Sequence, residues 1–406
     1  MQSSNTVDFD SVNLLFGDLS KVLHSSPTRI FHSKIVDFLT TLSNSILHDL
    51  EASQHPDLTY FAFWIRAGNL DSWRDLHGNK FRFGLGPTLH ITPANVPTNF
   101  LYSMVFGLVS GNSNVIRVPT KDFPQVKIIT RILLTMEKPH SEIAYEKIAL
   151  VRYPKMDRLT SHLLSFCRAL IVWGSNETVK ELRLIPKPPD CREVIFNNKN
   201  SILIIKASEI QQMNRRSKKE LSAQLSKVYS DSFLFDQNGC SSPKVVFWIG
   251  DFDQINTARE LFWSELAEIV KSKYEVDNGV MIRKFTNLSR LILEKIDLKN
   301  ISLWGNFIYS IPIKTMPSEE EFSLCRFGIF FENRCDSLEN FFKVPMEGIQ
   351  TLSYIGFKKT DLQENLRELE NVGVDRIVPA GEAFQMSLIW DGIDCVSTLS
   401  KLISLR

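Results

Sequence analysis

Between Leu89 and Trp173 short apolar runs alternate with amphipathic stretches, and each switch falls at Gly, Pro, Asn or Ser. The runs Leu89–Thr92, Ser113–Arg117, Ile148–Arg152 and Ala169–Trp173 are predicted as buried strands. Thr98–Leu108, Phe123–Met136 and Met156–Ser165 are predicted as the helices between them. This alternation implies right-handed crossovers and a parallel sheet, the layout of nucleotide-binding folds. Upstream, Ile35, Phe38, Leu39, Leu42 and Ile46 recur at helical spacing, so Asp8 to Leu70 reads as a helical lead-in. Downstream, Pro186-Lys187-Pro188-Pro189 is a loop, Ser201–Lys206 and Lys244–Ile249 are strands, and Arg215–Tyr229 and Asp253–Ser272 are helices. The tail from Trp390 to Leu405 reads as helix-rich. A domain break is expected near residue 230. It separates residues 1–229, the lead-in with the alternating strands and helices, from residues 230–372 and a C-terminal segment (373–406) that returns to the first.

Composition narrows the classes. The chain has 406 residues, enough for two or three domains. Its 47 Lys and Arg against 46 Asp and Glu argue against a dedicated nucleic-acid binder. Six Cys with no CxxC pair exclude a disulfide scaffold or zinc ribbon, and no metal is expected. The polar start, Met1 to Asp10, lacks the basic and apolar regions of a secretory signal. No run reaches the roughly 20 apolar residues of a membrane span, so a cytoplasmic protein is expected. All eight His lie at or before His162.

Four segments carry candidate chemistry. In Leu89-His90-Ile91-Thr92-Pro93-Ala94-Asn95-Val96-Pro97 a strand ends between two prolines, where the Asn95 amide suits a developing oxyanion or simply closes its own turn. Arg117 and Lys121 sit at the carboxyl end of a strand, as cations for a ribose phosphate or as ordinary surface charges. Trp173-Gly174-Ser175-Asn176 opens a helix whose backbone amides suit a pyrophosphate, but one glycine is not the GxGxxG fingerprint. Asp236-Gln237-Asn238-Gly239-Cys240-Ser241-Ser242-Pro243 puts a thiol on a polar loop before a buried strand, a candidate nucleophile whose own amide suits the acyl oxygen. Inert packing is the competing reading for this thiol, and the better one for Cys167 and Cys395.

Taken in order, "HITPANVP", "GLVSGNSNVIRVP", "VWGSNETV" and "DQNGCSSP", with "FWIRAGNL" and "GVDRIVPAGEA", resemble the aldehyde dehydrogenase superfamily and, within it, the LuxC-type acyl-CoA reductases. The resemblance covers the chain from about residue 60 onward. It implies an aldehyde-dehydrogenase-like α/β fold, with a Rossmann-type parallel-sheet cofactor domain and an α/β catalytic domain. It makes Cys240 the acyl-accepting nucleophile and Asn95 the side-chain oxyanion donor. Thr92, Pro93, Arg117, Lys121, Gly174 and Ser175 fall in the cofactor-binding set. The two cations favour a 2′-phosphate, hence NADPH, with NADH as the alternative. Acyl-CoA or another acyl thioester is the implied substrate, an acyl-activating synthetase the implied partner, and a homo-oligomer the implied assembly.

Two departures from the superfamily pattern stand out. Val179 replaces the second glycine of the pyrophosphate turn, and Ile195-Phe196-Asn197-Asn198-Lys199 stands where dehydrogenases carry Glu-Leu-Gly-Gly-Lys. Without that glutamate, water attack on an acyl-enzyme lacks its base, which favours reduction over oxidation. An acyl-phosphate reductase, an aldehyde dehydrogenase and a non-redox acyl-transfer subunit using the same Cys are the alternative readings.

Overall fold

The computed structural model describes residues 13–77, 81–93, 96–154, 158–274, 277–293, 301–367, 369 and 373–404. The chain divides into two units, Met1–Asn198 with Met386–Arg406, and Lys199–Gln385.

The first unit contains β1 (Asn13–Phe16), β2 (Arg82–Gly84), β3 (Pro87–Ile91), β4 (Ser113–Arg117), β5 (Ile148–Arg152), β6 (Ala169–Trp173) and β7 (Arg192–Phe196). Six of them form one sheet in the order β1-β5-β4-β3-β6-β7, parallel except for β1, which runs antiparallel to β5. Every residue of β4 and β6 is buried because helices cover both faces, as parallel sheets require. Ser33–His48, Asn99–Val109 and Pro124–Thr135 contribute to the core on one face, and Leu19–His24, Arg158–Phe166 and Asn176–Arg183 to the core on the other. Asn99–Val109 is buried from Phe100 through Val109, so it is apolar on all sides. It lies so close to β4 that a Cβ on Gly107 would fall 1.7 Å from Asn114 Oδ1.

A polar chain runs through this core. Asn114 Nδ2 donates to the Asn112 and Lys147 carbonyls, which turns its Oδ1 toward His90 Nε2 at 2.8 Å. His90 therefore carries its proton on Nε2, and its Nδ1 accepts from Ser103 Oγ at 2.7 Å. The same hydroxyl oxygen accepts from Trp173 Nε1 at 3.1 Å. Burial pushes His90 down to about 3, against the opposing Asn114 hydrogen bond. The unfolded imidazole takes up a proton near pH 6.5 and the folded one does not, so stability is full above that pH and is lost as pH falls toward 3. Between pH 6.5 and 5, the urea midpoint of the native protein should therefore fall more steeply than that of His90→Gln. Parallel slopes would show that His90 titrates normally in the fold.

The second unit holds β8 (Asn200–Lys206), β9 (Pro243–Ile249), β10 (Ser302–Trp304), β11 (Ile308–Pro312), β12 (Ile329–Cys335), β13 (Ile349–Ile355) and β14 (Val374–Pro379). Their order is β10-β11-β12-β9-β8-β13-β14, and all neighbours are parallel except β10 and β11. Two cores flank this sheet, one of them centred on Phe262 and Trp263 of the long helix Phe252–Lys273. Among the described residues no helix is long and apolar enough to cross a membrane.

Five expectations from the sequence change here. The break falls at Asn198, not near residue 230, because β8 pairs with β9 and β13 and so belongs to the second sheet. The expected helix Arg215–Tyr229 is two helices, Ala207–Arg216 and Lys218–Phe233, interrupted where Ser217 caps the second. Among the described residues the lead-in starts with an edge strand, β1, before its helices. The tail is mostly extended: β15 (Ile389–Trp390) pairs with β16 (Ile393–Asp394), Cys395–Thr398 makes one helical turn, and β17 (Ser400–Leu402) pairs with β2. The tail rejoins the first unit at Met386, later than residue 373.

Candidate active site

The residues expected from the sequence to bind a cofactor lie in the first unit, along the carboxyl edge of its sheet. The strand order reverses between β3 and β6, which are direct neighbours, and such a switch point opens the crevice where parallel sheets take ligands. Thr92 and Pro93 follow β3, and Gly174 and Ser175 follow β6. Thr92 is buried and its Oγ1 donates to the Arg117 carbonyl at 2.8 Å, tying the ends of β3 and β4 together. Ser175 caps Asn176–Arg183 by accepting from Thr178 N–H, and a Cβ on Gly174 would crowd the Thr178 methyl at 3.2 Å.

The two predicted cations have different settings. Arg117 is only 9% exposed. Its Nε donates to the Tyr153 carbonyl at 3.2 Å, its guanidinium lies over the Tyr153 ring, and burial lowers its pKa. Lys121 is exposed, with its ammonium over the Phe123 ring. Asp122, next in sequence, is taken up by Lys127 at 2.5 Å and Arg152 at 3.8 Å. Asn197, in the segment that lacks the dehydrogenase glutamate, donates its amide to Asn176 Oδ1 at 2.8 Å. Asn95 and Ala94 lie outside the described residues.

Cys240 belongs to the second unit, at the amino edge of its sheet, just before β9. Its loop is held in an uncommon backbone shape. Asp236 and Gln237 are consecutive non-glycine residues with φ of 53° and 55°, a conformation that costs on the order of 1 to 3 kcal/mol per residue. The offset comes from Gln237, which is fully buried, donates to the Pro243 and Ile329 carbonyls and accepts from Gly328 N–H at 2.7 Å. The Tyr274 hydroxyl donates to Asp236 Oδ1. Gly239 passes so near Phe384 that a Cβ would fall 2.6 Å from its ring. Beyond it, the Cys240 carbonyl accepts from Ser201 Oγ at 2.6 Å, and Ser201 Oγ also accepts from Thr351 N–H.

The sulfur itself meets residues that the sequence reading did not single out. Gln350 Nε2 donates to Cys240 Sγ at 3.2 Å, and Gln350 Oε1 accepts from Ser241 Oγ at 2.7 Å. Lys244 is 8% exposed and donates to Asn200 Oδ1 at 3.0 Å. Burial lowers its pKa, partly opposed by attraction to the Cys325 and Cys240 sulfurs. One signal for these residues was present in the sequence: β8, β9 and β13 are apolar strands whose polar residues (Asn200, Ser201, Lys244, Gln350, Thr351) collect toward their amino ends. Burial pushes the other five thiols upward, Cys191 to about 11, which suits inert packing. Cys240 is half-buried on its polar loop. Among the described residues no group of three or more His, Cys, Asp or Glu could hold a metal ion.

Comparison with known proteins bears on both units. Residues 66–280, just over half of the chain, match the family described as acyl-CoA reductase (LuxC). The long-chain acyl-protein thioester reductase of Aliivibrio fischeri is 22% identical over 166 residues, 41% of this chain and 32% of that protein. The chain thus spans about a third of the length of the curated relatives it matches. Aldehyde dehydrogenase 21 from Physcomitrella patens, solved with succinate, superposes with a TM-score of 0.61 at 12% identity, over 97% of this chain and 87% of its own. An indole-3-acetaldehyde dehydrogenase solved with NAD+ gives 0.60 at 10% identity, over 95% of this chain and 83% of its own. The fold is that of the aldehyde dehydrogenases.

Proposed function

Because this chain belongs to the acyl-CoA reductase (LuxC) family, we propose that it reduces an acyl thioester to an aldehyde, with Cys240 carrying the acyl group between two half-reactions. The observation that carries this reading is the setting of Cys240, a half-buried thiol whose main chain is pinned by Ser201 on a pre-shaped polar loop. The name of the matched reductases supports a long-chain acyl thioester over an acyl phosphate.

In the first half-reaction the Cys240 thiolate attacks the acyl carbonyl carbon. The bond to the donor sulfur then breaks, and the donor thiolate leaves and takes up a proton. Asn95 is proposed as the side-chain donor to the oxyanion, and the Cys240 amide as the backbone donor. The crevice between β3 and β6, the cap at Ser175 and the cations Arg117 and Lys121 fit a nicotinamide dinucleotide, with Asp122 neutralised by its own partners. Thr92, Pro93, Gly174 and Ser175 would hold its pyrophosphate portion, and Arg117 and Lys121 a ribose 2′-phosphate. When bound, the reduced nicotinamide supplies the hydride for the second half-reaction. The tetrahedral carbon on Cys240 then collapses to the aldehyde and returns an electron pair to sulfur. The segment Ile195–Lys199 carries no carboxylate, which supports reduction, since the acyl-enzyme must outlast attack by water.

With long-chain acyl-CoA and NADPH, the absorbance of the reduced nicotinamide should fall as aldehyde appears, whereas an acyl phosphate should give no comparable rate. We expect kcat/KM with NADPH to exceed that with NADH at least about tenfold, as one charge-assisted phosphate contact implies. Equal efficiencies would remove the assignment of Arg117 and Lys121 to a 2′-phosphate.

A further inference from the structure

Two irregularities in sheet pairing meet at Cys240. Along β13, Ile349 pairs with Asn200 and Thr351 with Ser201, so Gln350 is an extra residue set against a single step of β8. Along β9, Pro243 pairs with Ser201 and Val245 with Ile202, so Lys244 is likewise extra. A β-bulge of this kind turns a side chain away from the regular alternation, and bulges concentrate beside active sites. Here the two bulged residues are the amide that reaches the sulfur and the cation whose field includes it. Gln350 is 1% exposed, its amide fixed by Ser241 at one end and applied to Sγ at the other.

No histidine exists beyond His162, so the unit that holds Cys240 has no imidazole to take the thiol proton. We propose that Gln350 is the positioning residue of the nucleophile: the bulge in β13 presents its N–H to Sγ, an arrangement that favours the thiolate form of Cys240. Lys244, the extra residue of β9, adds a cation whose field includes the sulfur. Cys325 and Arg326, on the segment leading into β12, share its electrostatic surroundings, and Arg326 opposes its charge. The proposal deepens the reading of Cys240 as acyl carrier and rests on it.

The orientation of the amide makes this testable. An N–H given to sulfur favours the thiolate, whereas a carbonyl oxygen facing an S–H would favour the thiol. The measurement is the pH profile of iodoacetamide alkylation at Cys240, followed by peptide mass in the native protein, Gln350→Leu and Gln350→Glu. Removal of a hydrogen bond to a charged group predicts alkylation at pH 7 about tenfold slower in Gln350→Leu, with the midpoint moved to higher pH. Gln350→Glu keeps the shape but replaces the donor with an acid, so its midpoint should move upward as well. It is the control for folding, checked by an unchanged thermal melt. A midpoint that stays put or moves downward in either folded variant overturns the proposal. Alkylation needs no acyl donor, so this failure is distinguishable from failure of the acyl-reductase reading, which shows as absent aldehyde from a protein whose Cys240 still alkylates with the native profile.

Discussion

Cys240→Ala should lower aldehyde formation by on the order of 10⁴- to 10⁶-fold, the scale seen when a covalent nucleophile is removed from a working site. Nicotinamide binding should persist, because the residues assigned to it lie in the other unit. Intact-mass analysis after mixing with long-chain acyl-CoA, without reduced nicotinamide, should show one acyl group on the native protein and none on the variant. The other thiols give no competing adduct on this account, since burial raises their pKa and keeps them protonated. Near-native aldehyde formation by Cys240→Ala would end the thioester route. An adduct on the native protein with no nicotinamide consumption would point instead to acyl transfer without redox chemistry.

The largest stability effect should come from Glu332→Ala. Glu332 lies on β12, 3% exposed, and accepts from Arg259 Nε at 2.6 Å, Arg259 Nη2 at 2.8 Å and Trp248 Nε1 at 2.7 Å. Burial pushes its carboxyl up, but the hydrogen bonds and charge of Arg259 outweigh this and hold it below its ordinary value. Truncation leaves the Trp248 indole N–H and Arg259 Nε without their acceptor, with only the Ser302 and Ser310 hydroxyls left to the half-buried guanidinium, a loss of about 3 to 5 kcal/mol. For a unit of this size the melting temperature should fall by about 10 °C. Because the folded pKa is depressed, the pair stabilises above the ordinary carboxylate range and that contribution is lost as pH falls through the folded value. A shift of only a degree or two in the melt would show that the second unit does not depend on the pair.

The two effects fall on features of unequal visibility in the sequence. β4, β5 and β6 have the bounds expected from their apolar runs, since strands buried on both faces leave a continuous signature. The Cys240 loop was visible for a related reason: a polar, glycine-bearing segment just before a buried strand needs a local explanation. Gln350 and Lys244 were hidden because a bulge is a property of two paired strands, and Gln350 lies 110 residues from the sulfur it meets. The break at Asn198 was hidden likewise, since whether β8 joins the first or the second sheet depends on pairing, not on its own residues. In the tail, Ile389, Trp390 and Ile393 recur at spacings that suit a helix as well as a tight hairpin, and the pairing of β15 with β16 decides it.

The way the chain threads its two units has a consequence for biosynthesis. Lys199–Gln385 is one uninterrupted stretch, while the first unit is split around it. A ribosome therefore delivers the whole second unit before it delivers Cys395, Val396 and Leu399, which fill the first core, or β17, which pairs with β2. Until then Arg82 and Arg192 await the Ser400 carbonyl and Asn112 awaits that of Leu399. The half made first is thus the half completed last, and a nascent chain stalled before residue 386 would carry an incomplete first unit and a finished second one.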